Sequence, residues 1–413
     1  MATAPVLSML VNSNSQIDKR ILLCFSNTGG GHKSAALAVQ AAIQEVAKDK
    51  RFERFRFDVV LADVIENSND LHWLYVATYN FLLRYRQKWM KYYCRFIEIV
   101  KPDNSEICFL LAFRYAKKLL CDVSPAVVVS VHPMANYDLA KMLKTLNLKS
   151  QVKLIVVVTD PNQTLWSGWA CPGADLIVAP NDLVADSLIA MGVDATKIET
   201  IGMPVNPKFL RPPVQSKASL LKELTLDPDV LTVCLSGGRA GGGNVASIYK
   251  SLLSVKRKIQ VIVICGNNKK LTQQIREMSK SSPVLTAIVQ NIPDMSDAMK
   301  ACDLLITKAG GLTTYEAVAR RLPMAIDMIT EPMPQELGTA QIMIETGLAQ
   351  PIRQAADIVA IVENLQPLER YKSRLPEKYN LNRVNSVYDI ARLILQNAST
   401  FSSVSKQKQR IDR

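Results

Sequence analysis

The sequence predicts an α/β protein built as two doubly wound domains that face each other across a cleft. Short β-branched runs alternate with longer helical patterns from about residue 20 onward. Most of these runs are continuously apolar, as strands of a parallel sheet buried on both faces must be. The chain of 413 residues, long enough for two domains, also breaks once near its middle.

The strand candidates, in order, are ILLCFS (21–26), AVVVSV (126–131), LIVVVT (154–159), LIVAP (176–180), LTVCLS (231–236), VIVIC (261–265) and LLIT (304–307). Helical patterns follow them, such as KSAALAVQAAIQEVAK after the first and TTYEAVARR after the last. That alternation implies right-handed crossovers. Pro204, Pro207, Pro212 and Pro213 mark the break, and the polar stretch QSKASLLKE follows. The division is a flexible N-terminus (1–19), a first domain (20–207), a linker (208–229), a second domain with its C-terminal helix (230–400) and a basic tail (401–413).

Composition narrows the classes. Residues are 48% hydrophobic and 21% charged, which excludes disorder for most of the chain. Fifty basic against thirty-seven acidic residues leave a net +13, favouring an anionic contact: nucleic acid, an acidic membrane surface or a phosphorylated substrate. No nucleic-acid recognition motif accompanies the charge. The eight cysteines form no CxxC pair and read as reduced thiols of a cytosolic protein. No stretch reaches the roughly 18 apolar residues of a membrane span, and no basic region precedes Asp18 as a secretory signal requires. The expectation is a cytoplasmic protein that touches a membrane without crossing it.

Glycine loops carry the functional signal. The first strand runs into Asn27-Thr28-Gly29-Gly30-Gly31-His32 and then a helix, where a ligand can approach backbone amides. Only three histidines occur, and two sit at strand ends: His32, and His132 in SVHP. Ligands of open α/β sheets gather there. The second half opens in the same way, with LTVCLS leading into Gly237-Gly238-Arg239. Further on, Lys308-Ala309-Gly310-Gly311-Leu312-Thr313 begins a helix with Glu316 one turn in. A diphosphate suits such a helix start, and a carboxylate just beyond can take two ribose hydroxyls.

A second signal is aromatic. Twelve of the 26 aromatics fall between residues 71 and 115, a segment of net charge +4. Phe81, Tyr85, Trp89, Tyr92 and Phe96 make one helical stripe, with Arg84, Lys88, Lys91 and Arg95 beside it. That pattern suits a helix lying in an anionic interface, its cations reaching phosphates; the alternative is a core helix with a solvated basic face. Arg84, Lys88, Trp89 and Lys91 are the expected membrane contacts.

SNTGGGH, SVHP, TDPN…W…ADLIVAPND, GMPVNPKF, SGGRAGGG, VICGNNKKL, ACDLLITKAGGLTTYEA and the Gln335-Glu336 pair stand in an order that resembles monogalactosyldiacylglycerol synthases. The chain is also similar to bacterial diacylglycerol glucosyltransferases and, more distantly, to the peptidoglycan lipid-intermediate N-acetylglucosaminyltransferase. The resemblance spans about residues 20 to 350. It implies a GT-B fold with an N-terminal acceptor domain and a C-terminal nucleotide-sugar domain. The implied reaction is inverting transfer of galactose or glucose from a UDP-hexose to diacylglycerol, on a peripheral, anionic membrane surface.

Carried over by residue, the resemblance places UDP-sugar against Gly237, Gly238, Arg239, Lys308, Gly310, Gly311 and Thr313. Glu316 holds the ribose, the backbone at Ile292 reads the uracil, and Gln335 and Glu336 take hexose hydroxyls. His32 is the general base, while Gly30, Gly31 and His132 face the acceptor; Asp160 is the fallback carboxylate. Gly311 stands where the plant enzymes usually have proline, and LGTAQ follows Glu336 where asparagine is frequent, so the hexose stays open.

Inverting transfer needs a base for the acceptor hydroxyl and neutralisation of departing UDP. The one Asp-x-Asp, Asp227-Pro228-Asp229, reads as a turn, and helix ends aimed at the diphosphate make a metal unnecessary. No cofactor and no metal are expected. The rival readings are a transferase acting on a polyprenyl-linked acceptor, a nucleotide-sugar 2-epimerase, and a catalytically idle lipid-binding relative.

Overall fold

A computed structural model describes residues 17–212, 215–238, 241–290, 294–366 and 375–400. The first sheet is formed by β1 (Ile17–Phe25), β2 (Phe55–Asp63), β3 (Val127–Ser130), β4 (Lys153–Val157), β5 (Leu176–Ala179) and β6 (Ile198–Thr200). Its order is β2-β1-β3-β4-β5-β6, every pairing parallel. The second is formed by β7 (Leu231–Ser236), β8 (Ile259–Ile264), β9 (Thr286–Val289), β10 (Leu304–Thr307), β11 (Met324–Asp327) and β12 (Ala349–Ile352). Its order is β12-β11-β10-β7-β8-β9, also all parallel.

This is the two-domain α/β architecture expected. The inner strands β3, β4, β7, β8 and β10 are buried along nearly their whole length, which is why their sequences carry no polar alternation. Each sheet reverses its winding once. From β1 the chain goes outward to β2 and then returns to the other side for β3. From β7 it goes outward to β8 and β9 before returning for β10. Crossover helices part at those two places, leaving crevices beyond the carboxyl ends of β1/β3 and β7/β10.

The boundaries differ from the sequence reading in three respects. The first strand starts at Ile17, so residues 17–19 belong to it, while 1–16 and the tail 401–413 lie outside the described residues. The segment 208–229 contains a helix, Lys217–Glu223, that buries Leu220 and Leu221 and packs on the second-domain helix Met295–Ala301. The C-terminal helix Ser386–Thr400, counted with the second domain, packs instead on the first-domain helix Gly31–Val46. Its Val387, Ile390, Ile394 and Leu395 are fully buried, and Tyr388 Oη donates to Glu45 at 3.1 Å. An apolar stripe announces that a helix must be covered and is silent about which domain covers it.

That helix is admitted by Gly202. Its φ of +143° and a place where a Cβ would lie 2.5 Å from Ser386 Cβ leave no room for a side chain, and Ser386 Oγ donates to Met203 O at 2.7 Å beside it. Gly202→Ala should therefore cost about 1–3 kcal/mol in urea unfolding, the range of an overpacked site; an unchanged midpoint would show that the helix start is free to shift.

Candidate active site

The first glycine loop leaves β1 at the switch point. Gly29 and Gly30 take φ of +63° and +101°, and the helix starts at Gly31 with no side-chain cap. Space is open around Gly31, where an added Cβ would meet nothing within 4 Å. Asn80 brackets the loop, its Oδ1 accepting from Gly29 N at 3.0 Å and its Nδ2 donating to Asn27 O at 3.3 Å.

The two histidines meet here, ring centroids 4.2 Å apart and near edge-on. His32 Nδ1 donates to Val131 O at 2.8 Å, with the Thr159 hydroxyl 3.3 Å away. A carbonyl can only accept, so the proton sits on Nδ1 and the Nε2 lone pair is left for a substrate. His132 is arranged oppositely. Its Nδ1 accepts from Met134 N at 3.3 Å, which puts its proton on Nε2, beside Thr28 Oγ1 at 2.9 Å. Both of its nitrogens are occupied, and it is buried. Of the two, His32 alone has a nitrogen free to act as base.

Electrostatics agree with this division. Burial lowers the His32 pKa below 6.5, against opposing pulls from Asp160, the Val131 carbonyl and Glu66. His132 lies well below 6.5, through burial and then the neighbouring His32. Asp160 closes the group: its Oδ2 accepts from the indole Nε1 of fully buried Trp169 at 2.7 Å, and burial raises its pKa while His32 draws it down.

Across the cleft, the second domain presents its own switch point. A Cβ on Gly237 would lie 2.8 Å from Gly242 O, so the loop doubles back on itself, and Gly238 turns with φ +68°. Asp327 pins that loop by accepting from Asn244 N at 2.8 Å and Asn244 Nδ2 at 3.0 Å. Beyond β10, Gly310 begins the helix Gly311–Ala319 without a side-chain cap, leaving the first-turn N–H groups of Gly311, Leu312 and Thr313 uncapped. Lys308 lies alongside, its Nζ 3.9 Å from the Cβ position of Gly242, with no acidic partner among the described residues. Thr159 ties the halves together. Its hydroxyl is at His32, and its carbonyl is 2.7 Å from the Cβ position of Gly311.

Glu316 is buried one turn along that helix. Burial pushes its carboxyl up to about 8, with Lys208 pulling it down and Asp294 pushing it up. Gln335 and Glu336 start the helix Pro334–Glu345; Gln335 O accepts from Asn162 Nδ2 at 2.7 Å, and Glu336 Oε2 is buried without a partner. Arg239 and Ile292 lie outside the described residues. Asp227 and Asp229 form a turn, Asp229 N donating to Asp227 Oδ1 at 3.0 Å just before β7, at the end of the sheet away from the cleft.

The aromatic stripe is two helices, Asp70–Tyr85 and Met90–Val100, with a 3₁₀ turn between them. Its aromatics face outward, Phe81, Trp89 and Tyr92 being 55%, 62% and 62% exposed, with Lys88, Lys91 and Arg95 exposed among them. The core-helix alternative is excluded for this face. Arg84 departs from the stripe. Half-buried, with its Nε unpaired, it lines the groove against Gly241 and Gly242 of the second domain. The inner face supplies residues that the sequence reading missed: Tyr79 donates to Met333 Sδ at 3.8 Å and feels the charges of Glu336 and Asp160, and Leu83, Met90 and Met333 form a small apolar cluster. No local motif marks Tyr79. Its helical position opposite Phe81 was the available cue.

Imidazole NMR tests this assignment directly, because only three histidines are present. His32 and His132 should both be mainly neutral at pH 6.5, with His132 titrating below His32; the reverse order would exchange their roles.

Comparison with known proteins agrees with the geometry. Residues 32–205 match the monogalactosyldiacylglycerol (MGDG) synthase family, and residues 233–392 the glycosyltransferase family 28 C-terminal domain. The chain is 30% identical to monogalactosyldiacylglycerol synthase 2, chloroplastic, of Arabidopsis thaliana over 86% of its own length and 75% of that protein. It is 30% identical to the probable chloroplastic enzyme of Glycine max over 83% and 64%. Solved structures share the fold: MurG of Acinetobacter baumannii at TM-score 0.55 and 13% identity, covering 92% of this chain and 99% of that one. UDP-GlcNAc 2-epimerase of Neisseria meningitidis follows the same fold at TM-score 0.58 and 10% identity, covering 91% and 100%. Two parallel sheets facing across a cleft, with the family's motifs at both switch points, identify this chain as a member of the monogalactosyldiacylglycerol synthase family of glycosyltransferases.

Proposed function

We propose that the protein transfers a hexose, galactose by its family, from a UDP-sugar to the free hydroxyl of diacylglycerol at a membrane surface. The observation that carries this reading is the pairing across one cleft of a neutral imidazole with its lone pair on Nε2 and an uncapped helix start flanked by Lys308, which has no ion-pair partner among the described residues. A base and an anion site facing each other are what a single displacement requires.

In this reading the diphosphate lies against the N–H groups of Gly311, Leu312 and Thr313 and against Lys308, with Gly237 and Gly238 allowing close approach. Glu316 accepts the ribose hydroxyls. Gln335 and Glu336 take hexose hydroxyls, the unpartnered Glu336 Oε2 being an acceptor that lacks a donor. The acceptor hydroxyl approaches over Gly30 and Gly31 and gives its proton to His32 Nε2 as its oxygen bonds to the anomeric carbon and the UDP oxygen departs. Charge on the leaving group is met by amides and the Lys308 ammonium, so no metal ion is invoked.

The outer face of residues 81–96 supports membrane contact. Exposed aromatics with Lys88, Lys91 and Arg95 around them suit an anionic interface, at roughly 1 kcal/mol per basic residue. The same helices carry Tyr79 and Leu83 into the cleft on their inner side, so lipid and donor would meet across one helical layer. Among the described residues no helix is long and apolar enough to cross a membrane.

Radiolabelled UDP-galactose or UDP-glucose, incubated in EDTA with liposomes containing diacylglycerol, should yield a labelled glycolipid. His32→Ala should lower kcat by about 10² to 10⁴ while UDP affinity changes little. Near-normal turnover by that variant would move the base elsewhere, and label found only in an epimerised nucleotide sugar would overturn the transfer reading.

The burial of Glu316 sets a pH dependence. Its carboxyl, raised to about 8, is mainly protonated near pH 7 without ligand, and accepting two hydroxyls favours the ionised form. UDP-galactose affinity should therefore rise by about tenfold per pH unit below 8 and level off above it, because binding releases a proton. Titration calorimetry between pH 6.5 and 9 measures this. Glu316→Gln should bind weakly and without that slope; a flat wild-type profile would remove Glu316 from the ribose.

A further inference from the structure

A second pair of acids lies behind the glycine loop. Asp63 ends β2, and Glu66 follows in the loop after it. Both hold Asn27, the residue with which the glycine loop begins. Asn27 N donates to Glu66 Oε1 at 2.6 Å, and Asn27 Nδ2 donates to Asp63 Oδ2. The remaining oxygens, Asp63 Oδ1 and Glu66 Oε2, are sealed from solvent with no hydrogen-bond donor.

Two ionised carboxylates side by side in such a place repel, and each would leave a buried oxygen unsatisfied. One proton between them removes both penalties: one acid donates and the other accepts. We propose that Asp63 and Glu66 share a proton and, through Asn27, hold the loop that carries His32, so that an alkaline limit on transfer is built into the first domain.

Among the described residues neither acid has an ion-pair partner. Burial comes first in raising Asp63, to about 8, followed by the hydrogen bond and charge of Glu66, with Asn27 and the Glu66 backbone amide acting the other way. Tyr115 Oη donates to Asp63 O at 2.9 Å, and its phenol, raised to about 12, stays neutral. The Cys24 thiol in β1 is pushed up by burial and is neutral too. His32, which feels Glu66, is neutral at this pH. No cation is among the groups acting on Asp63.

The consequence reaches His32 through a short chain. When the shared proton leaves, Asp63 and Glu66 repel, and the two anchor points of Asn27 separate. The loop from 27 to 31 is also tied at Asn80, at the Thr28–His132 contact, at Ser26 Oγ and where Gly30 O meets Ser34, so Asn27 is its link to β2. Asp63 and Glu66 are therefore positioning residues, acting on His32 through the backbone. The donor side, in the other domain, is untouched.

The transfer readout rests on the function proposed above, so the test has two arms. In the first, kcat at saturating donor is followed from pH 6 to 9.5. Wild type should fall above pH 8 while the donor KM stays level over that alkaline range. Asp63→Ala should be slower throughout, whereas Asp63→Asn, the neutral isostere of the protonated acid, should rescue it and show no alkaline fall. In the second arm, needing no substrate, urea unfolding of wild type and Asp63→Asn is compared between pH 5 and 7. The carboxyl is protonated when folded and ionised when unfolded, so folding stability is lost as pH rises; the wild-type unfolding constant should rise about tenfold per pH unit relative to the variant. A missing slope, or an alkaline fall retained in Asp63→Asn, would overturn the shared proton. The slope without any glycosyl transfer would sustain the pair and refute the proposed function instead.

Discussion

A parallel sheet wound in both directions from one strand must part its crossover helices beside that strand, and the two partings in this chain are where its chemistry is gathered. β1 and β3 diverge to leave His32 and His132 in one crevice, and β7 and β10 diverge to leave Gly237, Lys308 and Gly311 in the other. Neither crevice is complete alone. Thr159 reaches both His32 and Gly311, and buried Asn162 holds Gln335 O and Thr339 Oγ1 at 2.7 and 3.1 Å, so the site exists only as the two domains meet.

The site also depends on how charge is kept off the first domain. His32 and His132 are both held neutral by burial, and Asp160 is raised by it. The second domain offers the opposite: helix amides and Lys308, uncompensated among the described residues. In the proposed transfer, a neutral base opposite a positive anion site would let the developing charge run from acceptor hydroxyl to diphosphate, along the direction in which the protein is already polarised. Residues 70–100 join this arrangement to the surface, with Tyr79 and Leu83 inward and Trp89 and Tyr92 outward on consecutive helices.

Much of this was legible in the sequence, for physical reasons. Inner strands such as VVVS and IQVIVI are buried on both faces and advertise themselves as apolar runs. The edge strands β2, β6, β9 and β12 are half-buried, and β11 (MAID) holds a single β-branched residue, so no comparable run marked them. His32 and the glycine loops are local motifs and were readable. Tyr79, Trp169, Asn162 and the Asp63–Glu66 pair are brought in from separate helices and loops, and only tertiary packing gives them meaning. Arg84 shows the opposite failure: the helical wheel placed it beside the outer aromatics, while in the helix Asp70–Tyr85 it follows buried Leu83 and lies one turn from Asn80, against Gly242.

The central claim is a single displacement, with the base on one domain and the leaving diphosphate on the other. The anomeric configuration of the glycolipid made from UDP-galactose, read from the anomeric proton coupling by NMR, tests it most directly. Attack from the His32 side opposite the diphosphate inverts the α-linked donor, so the product should be β-linked. An α-linked product would contradict the account, because it would require the acceptor to arrive on the face from which UDP leaves.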